Sequence, residues 1–170
     1  AGSFWWGVIG VIYFKYIAFA GNIEVVIHRS FWTTVMLVLT SLLLYKFRKI
    51  TDVFNNKKKL TLLFFSGILI FTNWAVWIYA VSTDRVIDAS FGYFIMPIIS
   101  VFLGYFFFKE ELSYKGKLSV IIVIVSIIFL IFSDYQSIPW VGLIVALSWS
   151  FYNLLRKKVK VDTDIGLLVE

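Results

Sequence analysis

Residues 57–108 read KKKLTLLFFSGILIFTNWAVWIYAVSTDRVIDASFGYFIMPIISVFLGYFFF. Three lysines lead into an apolar run at 60–81. Ser82, Thr83, Asp84 and Arg85 interrupt it, and a second run follows at 86–108. A hydrocarbon core of ~30 Å needs about 20 mostly apolar residues per helix. Two runs of that length joined by four polar residues read as a hairpin that crosses a bilayer twice. The same ruler, moved outward, predicts further spans at 4–20, 25–45, 118–132 and 138–155. The fifth run is short and is expected to begin nearer Gly116 or Tyr114. A seventh apolar run opens at Ile165. The expected fold class is all-α: a polytopic membrane helix bundle in one membrane domain.

Composition supports this reading. Of 170 residues, 61% are hydrophobic and 15% charged, where soluble domains carry roughly 45–50% and about 25%. A water-soluble globular enzyme is excluded on that ground. The absence of cysteine removes disulfides, thiolate nucleophiles and thiolate metal sites. One histidine and scattered carboxylates do not make a zinc site, and no cofactor is expected. The first run is not a signal peptide, because it lacks a basic leader and holds Lys15 within its apolar stretch.

The net charge of +6 is not spread evenly. Lys46, Arg48, Lys49, Lys57, Lys58 and Lys59 lie between runs two and three. Lys109, Lys115 and Lys117 lie between runs four and five, and Arg156, Lys157, Lys158 and Lys160 follow run six. Thirteen of the 16 basic residues thus sit on alternate loops, whereas the loops at 21–22, 82–85 and 133–137 hold only Arg85. The positive-inside rule places the N-terminus and the basic loops in the cytoplasm. The charge then faces an anionic leaflet rather than a nucleic-acid groove. The short loops predict tight antiparallel hairpins of runs 1–2, 3–4 and 5–6.

Charged groups inside hydrocarbon cost at least a few kcal/mol, so each needs a reason. Lys15, Glu24, His28, Arg29 and Asp88 are such groups. Lys15 and His28 lie equally far from the 21–22 turn, roughly 10 Å deep at 1.5 Å per residue. Glu24 and His28 share a helix face. Two bases and two acids therefore occupy one slab with an imidazole among them. They can serve as structural ion pairs and snorkelling chains, or as the lining of a solute path. Lys15 and Arg29 are expected to face the interior and to pair with Glu24, Asp88 or both. A deeper layer holds Asn73 and Trp74 in run three and Ser90, Tyr93 and Pro97 in run four. Tyr152 in run six is counted with it. Pro97 removes a backbone donor near mid-bilayer. Broken helices at that depth are typical of transporter sites.

Several motifs recur together in order. Glu24-x-x-x-His28-Arg29-x-x-Trp32 opens run two, and Asn73-Trp74 lies in run three. Asp88-Ala89-Ser90-Phe91-Gly92-Tyr93-Phe94-Ile95-Met96-Pro97 fills run four, Glu110 follows it, and Ser148 to Tyr152 with Arg156-Lys157-Lys158 mark run six. Their order and spacing resemble the RarD-type permeases of the EamA family, in the drug/metabolite transporter superfamily. The resemblance runs from about Tyr13 to Glu170. It implies ten helices in two inverted five-helix repeats, both termini cytoplasmic in the inner membrane, and secondary transport of a small organic solute. It also implies that residues 1–133 form the first repeat and 134–170 begin the second, so that the chain is part of a longer one. In that family Asn usually stands at the position of Met96, Glu at Asp88, Gly at Lys109 and Gly at Asn153. The first helix lacks the expected proline. The alternatives are an intramembrane lipid-modifying enzyme, for which His28 with Glu24 is the only acid–base pair, and a non-catalytic scaffold. Oligomeric state is open.

Overall fold

A computed structural model describes residues 5–134 and 140–170, and every regular element among them is a helix. A π-helical turn at Trp5–Gly10 leads into the short α1, Val11–Tyr16. There follow α2 (Asn22–Leu43), α3 (Phe47–Asn55), α4 (Lys57–Ser82), α5 (Val86–Phe108), α6 (Tyr114–Asp134), α7 (Trp140–Val159) and α8 (Thr163–Val169). Three of these, α2, α4 and α5, are long and apolar enough to cross a membrane, and α6 and α7 run to 21 and 20 residues. The chain is a multi-pass membrane protein, and its surroundings are a lipid bilayer. Rings and branched chains such as Phe31, Met36, Phe64, Phe102, Phe106, Ile122 and Phe129 point outward, the reverse of a soluble domain.

Helix α7 is the centre of the bundle, packed along both α4 and α5. Its partners fix its direction. Val141 packs with Ala80 of α4, and Val145 and Ser148 meet Asn73, so α7 runs antiparallel to α4. Gly142 meets Gly92 of α5 and Ser150 meets Met96, so α7 runs parallel to α5. Two spans separated by one intervening span run parallel, as the alternation of the basic loops requires. The face of α7 turned to α5 carries Gly142, Ala146 and Ser150, all buried. Small residues four apart let membrane helices approach closely, where no hydrophobic effect drives them together.

The ends of the bundle differ. At the end holding the 82–85 turn, Phe14, Val25, Val26, Ile78 and Val81 form one buried cluster. At the other, basic end, Val53 of α3 packs with Leu63, Val159 and Ile165. Helix α3 has one such apolar side and an exposed side that includes Phe47 and Phe54, the pattern of an interfacial helix. Its connection to α4 is capped by Asn56, whose side-chain oxygen accepts from the Lys59 N–H at 3.1 Å. Lys46 pairs with Asp164, and Lys49 with Asp162 at 2.6 Å, so α3 is tied to the α7–α8 link. Lys157 pairs with Glu110.

The structure departs from the sequence expectation in three places. The first run is not one continuous span, because α1 stops at Tyr16 and the chain turns through 17–20, with the Ile17 and Ala18 N–H groups bonding back to Tyr13 and Lys15. The first hairpin is not tight: α1 lies on α4, and a cleft separates it from α2. The predicted beginning of span six at 138 falls outside the described residues, and α7 extends four residues past the predicted end, to Val159. Arg156 and Lys157 are thereby helical rather than loop residues.

Candidate functional site

Two cavities lie beside α2. The larger, about 790 Å³, opens between α1 and the first half of α2 and is lined by Tyr13, Phe14, Glu24, His28, Arg29 and Trp32 among others. The spacing 24, 28, 29, 32 puts these side chains along one side of a helix. Glu24 and His28 thus share the cleft with the Arg29 guanidinium. The smaller cavity, about 360 Å³, lies between α2, α4 and α8 and is lined by Ser30, Phe31, Thr33, Thr34, Ile70, Trp74 and Glu170 among others. It sits near the middle of α4.

The charges of the expected slab are distributed differently from the sequence reading. Lys15 pairs with Asp84 in the turn at 2.6 Å, and both side chains are mostly exposed. This corrects the expectation of a buried Lys15 bound to Glu24 or Asp88. Because α1 ends one residue later, Lys15 reaches the turn end. Asp88 is held by Arg85, three residues before it, at 2.7 Å. The carboxylate of Asp88, the leading partner in this contact, raises the Arg85 pKa above its ordinary value. Arg29 lies with Cζ 3.4 Å above the ring of Trp74, a cation–π contact between α2 and α4.

The deeper layer divides as well. Asn73 is buried and donates from its amide to the Val145 carbonyl and to the Ser148 hydroxyl, each at 3.0 Å. It fastens α4 to α7 and is not among the residues lining these two cavities. Ser90, Tyr93 and Pro97 occupy an exposed face of α5, opposite the face on α7. The helix continues through Pro97. Tyr152 is far from the turn end and donates to Glu170 Oε2 at 3.3 Å.

One cluster was not visible in the sequence reading. Glu170 accepts from Ser66 Oγ at 2.6 Å and lies 3.4 Å from Arg156 Nη1. Its side chain is 1% exposed and that of Arg156 12%. Arg156 was counted with the cationic loop, yet it turns back into the bundle over Gly166, where any Cβ would collide with its guanidinium. The signal available in the sequence was a glutamate closing the apolar stretch 165–169.

A helix bundle with largely apolar cavities that admit a few charged side chains fits many membrane proteins, and comparison with known ones narrows the choice. The model of the EamA-like transporter family matches residues 1–132. The chain belongs to the EamA-like transporter family. Protein RarD of Salmonella typhimurium is 33% identical over the whole chain, which covers 57% of that relative. Protein RarD of Escherichia coli is 32% identical, again over the whole chain and 57% of the relative. An uncharacterized transporter of Vibrio cholerae is 34% identical over 97% of this chain and 54% of its own length. The chain therefore spans a little over half the length of these EamA relatives. No solved structure matches it. The EamA and RarD resemblance read from the motifs is borne out by these matches.

Proposed function

We propose that this chain is the first repeat and the start of the second repeat of a secondary transporter for a small organic solute, with residues 1–133 and 134–170 as the two parts. The reading has the basic end in the cytoplasm, the N-terminus with it, and the protein in the inner membrane. The observation that carries it is the convergence of Glu24, His28 and Arg29 on one cleft inside a family of transporters. Intramembrane ionisable groups mark solute or ion pathways, and a cleft of this size lies within the range of small-molecule sites. Trp32 and Tyr13 give it apolar walls, and Glu24 and Arg29 give it both signs of charge. Lys15, paired with Asp84, and Asp88, paired with Arg85, are not among the residues that line it. Trp74 continues the path, whereas Asn73 supports it through α7. One relative, of Pseudomonas aeruginosa, is named a chloramphenicol-sensitive protein and is 23% identical over 88% of this chain. Chloramphenicol is accordingly one member of the solute panel to be tried.

The test is flux. The full-length protein in proteoliposomes, offered a panel of labelled amphipathic metabolites and chloramphenicol, is expected to equilibrate at least one of them. Arg29→Met is expected to abolish that flux while the protein still inserts. Absence of flux for every solute, with a chemical product formed instead, would move the chain to the intramembrane enzymes.

A further inference from the structure

The two cavities share a wall. The cleft ends at Arg29, Trp32 and Thr33, and the chamber begins at Ser30, Thr33 and Trp74. Thr33 borders both. The Arg29 Cζ lies 3.4 Å from the centre of the Trp74 ring, and Arg29 lines the cleft while Trp74 lines the chamber. The contact thus bridges a residue of one cavity and a residue of the other.

Its chemistry suits a movable partition. A cation over an aromatic face is held by the ring quadrupole, an attraction that grows where water is excluded and that does not demand one hydrogen-bond geometry. The arginine stem is long and has many rotamers. The flanks do not need to move: Val25, which lines the cleft, and Val26 are buried in one cluster with Ile78 and Val81 of α4, and Ile70 is buried beside the chamber. Rotation of one side chain would join the cavities with the helices in place.

We propose that the Arg29–Trp74 stack is the gate between the cleft and the mid-bundle chamber, closed in this structure and opened by displacing Arg29 from the ring. The proposal rests on the transport reading for its purpose, but its test needs no substrate. The chain contains no cysteine, so single cysteines report access directly. The full-length protein, with any cysteine beyond this chain replaced, is placed in lipid nanodiscs and exposed to an anionic, membrane-impermeant methanethiosulfonate. Ala20→Cys lines the cleft and Ile70→Cys the chamber. The cleft cysteine is expected to react quickly in every background. The chamber cysteine is expected to react slowly alone and about tenfold faster with Trp74→Ala or Arg29→Met, the factor equivalent to about 1.4 kcal/mol. Arg29→Lys keeps a cation over the ring and is expected to stay protected. Trp74→Phe, which keeps a ring in place, serves where the alanine variant fails to fold and is expected to give an intermediate rate.

Rapid labelling of Ile70→Cys in the unaltered background would overturn the gate, since the chamber would already be open. Unchanged slow labelling in every folded variant would overturn it too, since some other group would be the barrier. Gated labelling without flux of any solute would leave the gate standing and remove the transport reading.

Discussion

Gly92 and Gly142 face each other across the α5–α7 crossing so closely that a Cβ built on Gly92 would lie 2.4 Å from the Gly142 carbonyl oxygen. The reciprocal Cβ on Gly142 would lie 2.4 Å from the carbonyl of Asp88. Backbone rather than side chain stands in the way, so the contact cannot yield by a rotamer change. Gly142→Val is expected to force the helices apart and to cost roughly 1–3 kcal/mol, the range of overpacked sites. Thermal unfolding in detergent would show it as a lowered Tm. An unchanged Tm would mean the crossing is looser than described. Gly7, with no atom within 4 Å of its Cβ position, is the control.

Asn73 is the polar tie of the same central helix. Its amide serves the Val145 carbonyl and the Ser148 hydroxyl. Interhelical hydrogen bonds in membranes average ~0.6 kcal/mol, so Asn73→Leu is expected to cost about 1 kcal/mol. Flux, where measurable, is expected to fall less than for Arg29→Met. A loss of flux with no loss of Tm would make Asn73 a pathway residue instead.

Lys109 ends α5 at φ 52°, in the left-handed region. A side chain there costs roughly 1–2 kcal/mol, which glycine avoids. Lys109→Gly is expected to stabilise the protein by about 1 kcal/mol, read as a higher Tm. A lowered Tm would show that the lysine has a contact outweighing the strain.

The buried pair of Arg156 and Glu170 calls for a different test. Removing one member leaves a charge without its partner in a poorly solvated site, a loss of about 3–5 kcal/mol. Arg156→Leu or Glu170→Gln alone is expected to lower yield and Tm sharply, and the two together to restore much of both. Additive losses in the double variant would show that the charges do not compensate each other.

The contacts between α3 and the α7–α8 link depend on pH. Lys46 holds the Asp164 carboxyl below its ordinary pKa, and the hydrogen bond that Lys49 donates to the Asp162 carboxylate raises the Lys49 pKa. A depressed carboxylate contributes fully above its unfolded value, about 3.9, and loses that contribution as pH falls through the lower folded value. A raised lysine contributes below about 10.4 and loses it as pH rises through the folded value. The hydrogen-exchange protection of α8, Thr163–Val169, measured against the intrinsic rate at each pH, is therefore expected to fall below about pH 4 and at strongly alkaline pH. Asp164→Asn is expected to remove the acid limb. A protection factor that does not vary with pH would show that α8 is held by its apolar side alone.

Much of this was legible in the chain. A bilayer imposes a fixed length of apolar residues and an asymmetry of charge, and both are written linearly, so the spans from 60–81 and 86–108 outward and the alternation of basic loops followed from the sequence. The motifs from Glu24 to Arg156 were enough for the family. Depth along a helix could also be counted: it put Glu24, His28 and Arg29 in one slab with Lys15 and Asp88, and the first three line one cleft. Partnership could not be counted. Equal depth says nothing of azimuth, and Lys15 found Asp84, Asp88 found Arg85, and Arg29 found a ring. Short-range pairs three residues apart form before distant ones because they need no loop closure. The central place of α7, the glycine contact at 92 and 142, and the burial of Arg156 against Glu170 depend on which faces meet. Those were decided only by the packing of helices whose outer surfaces are equally apolar, where small residues and a few hydrogen bonds, rather than hydrophobicity, choose the neighbours.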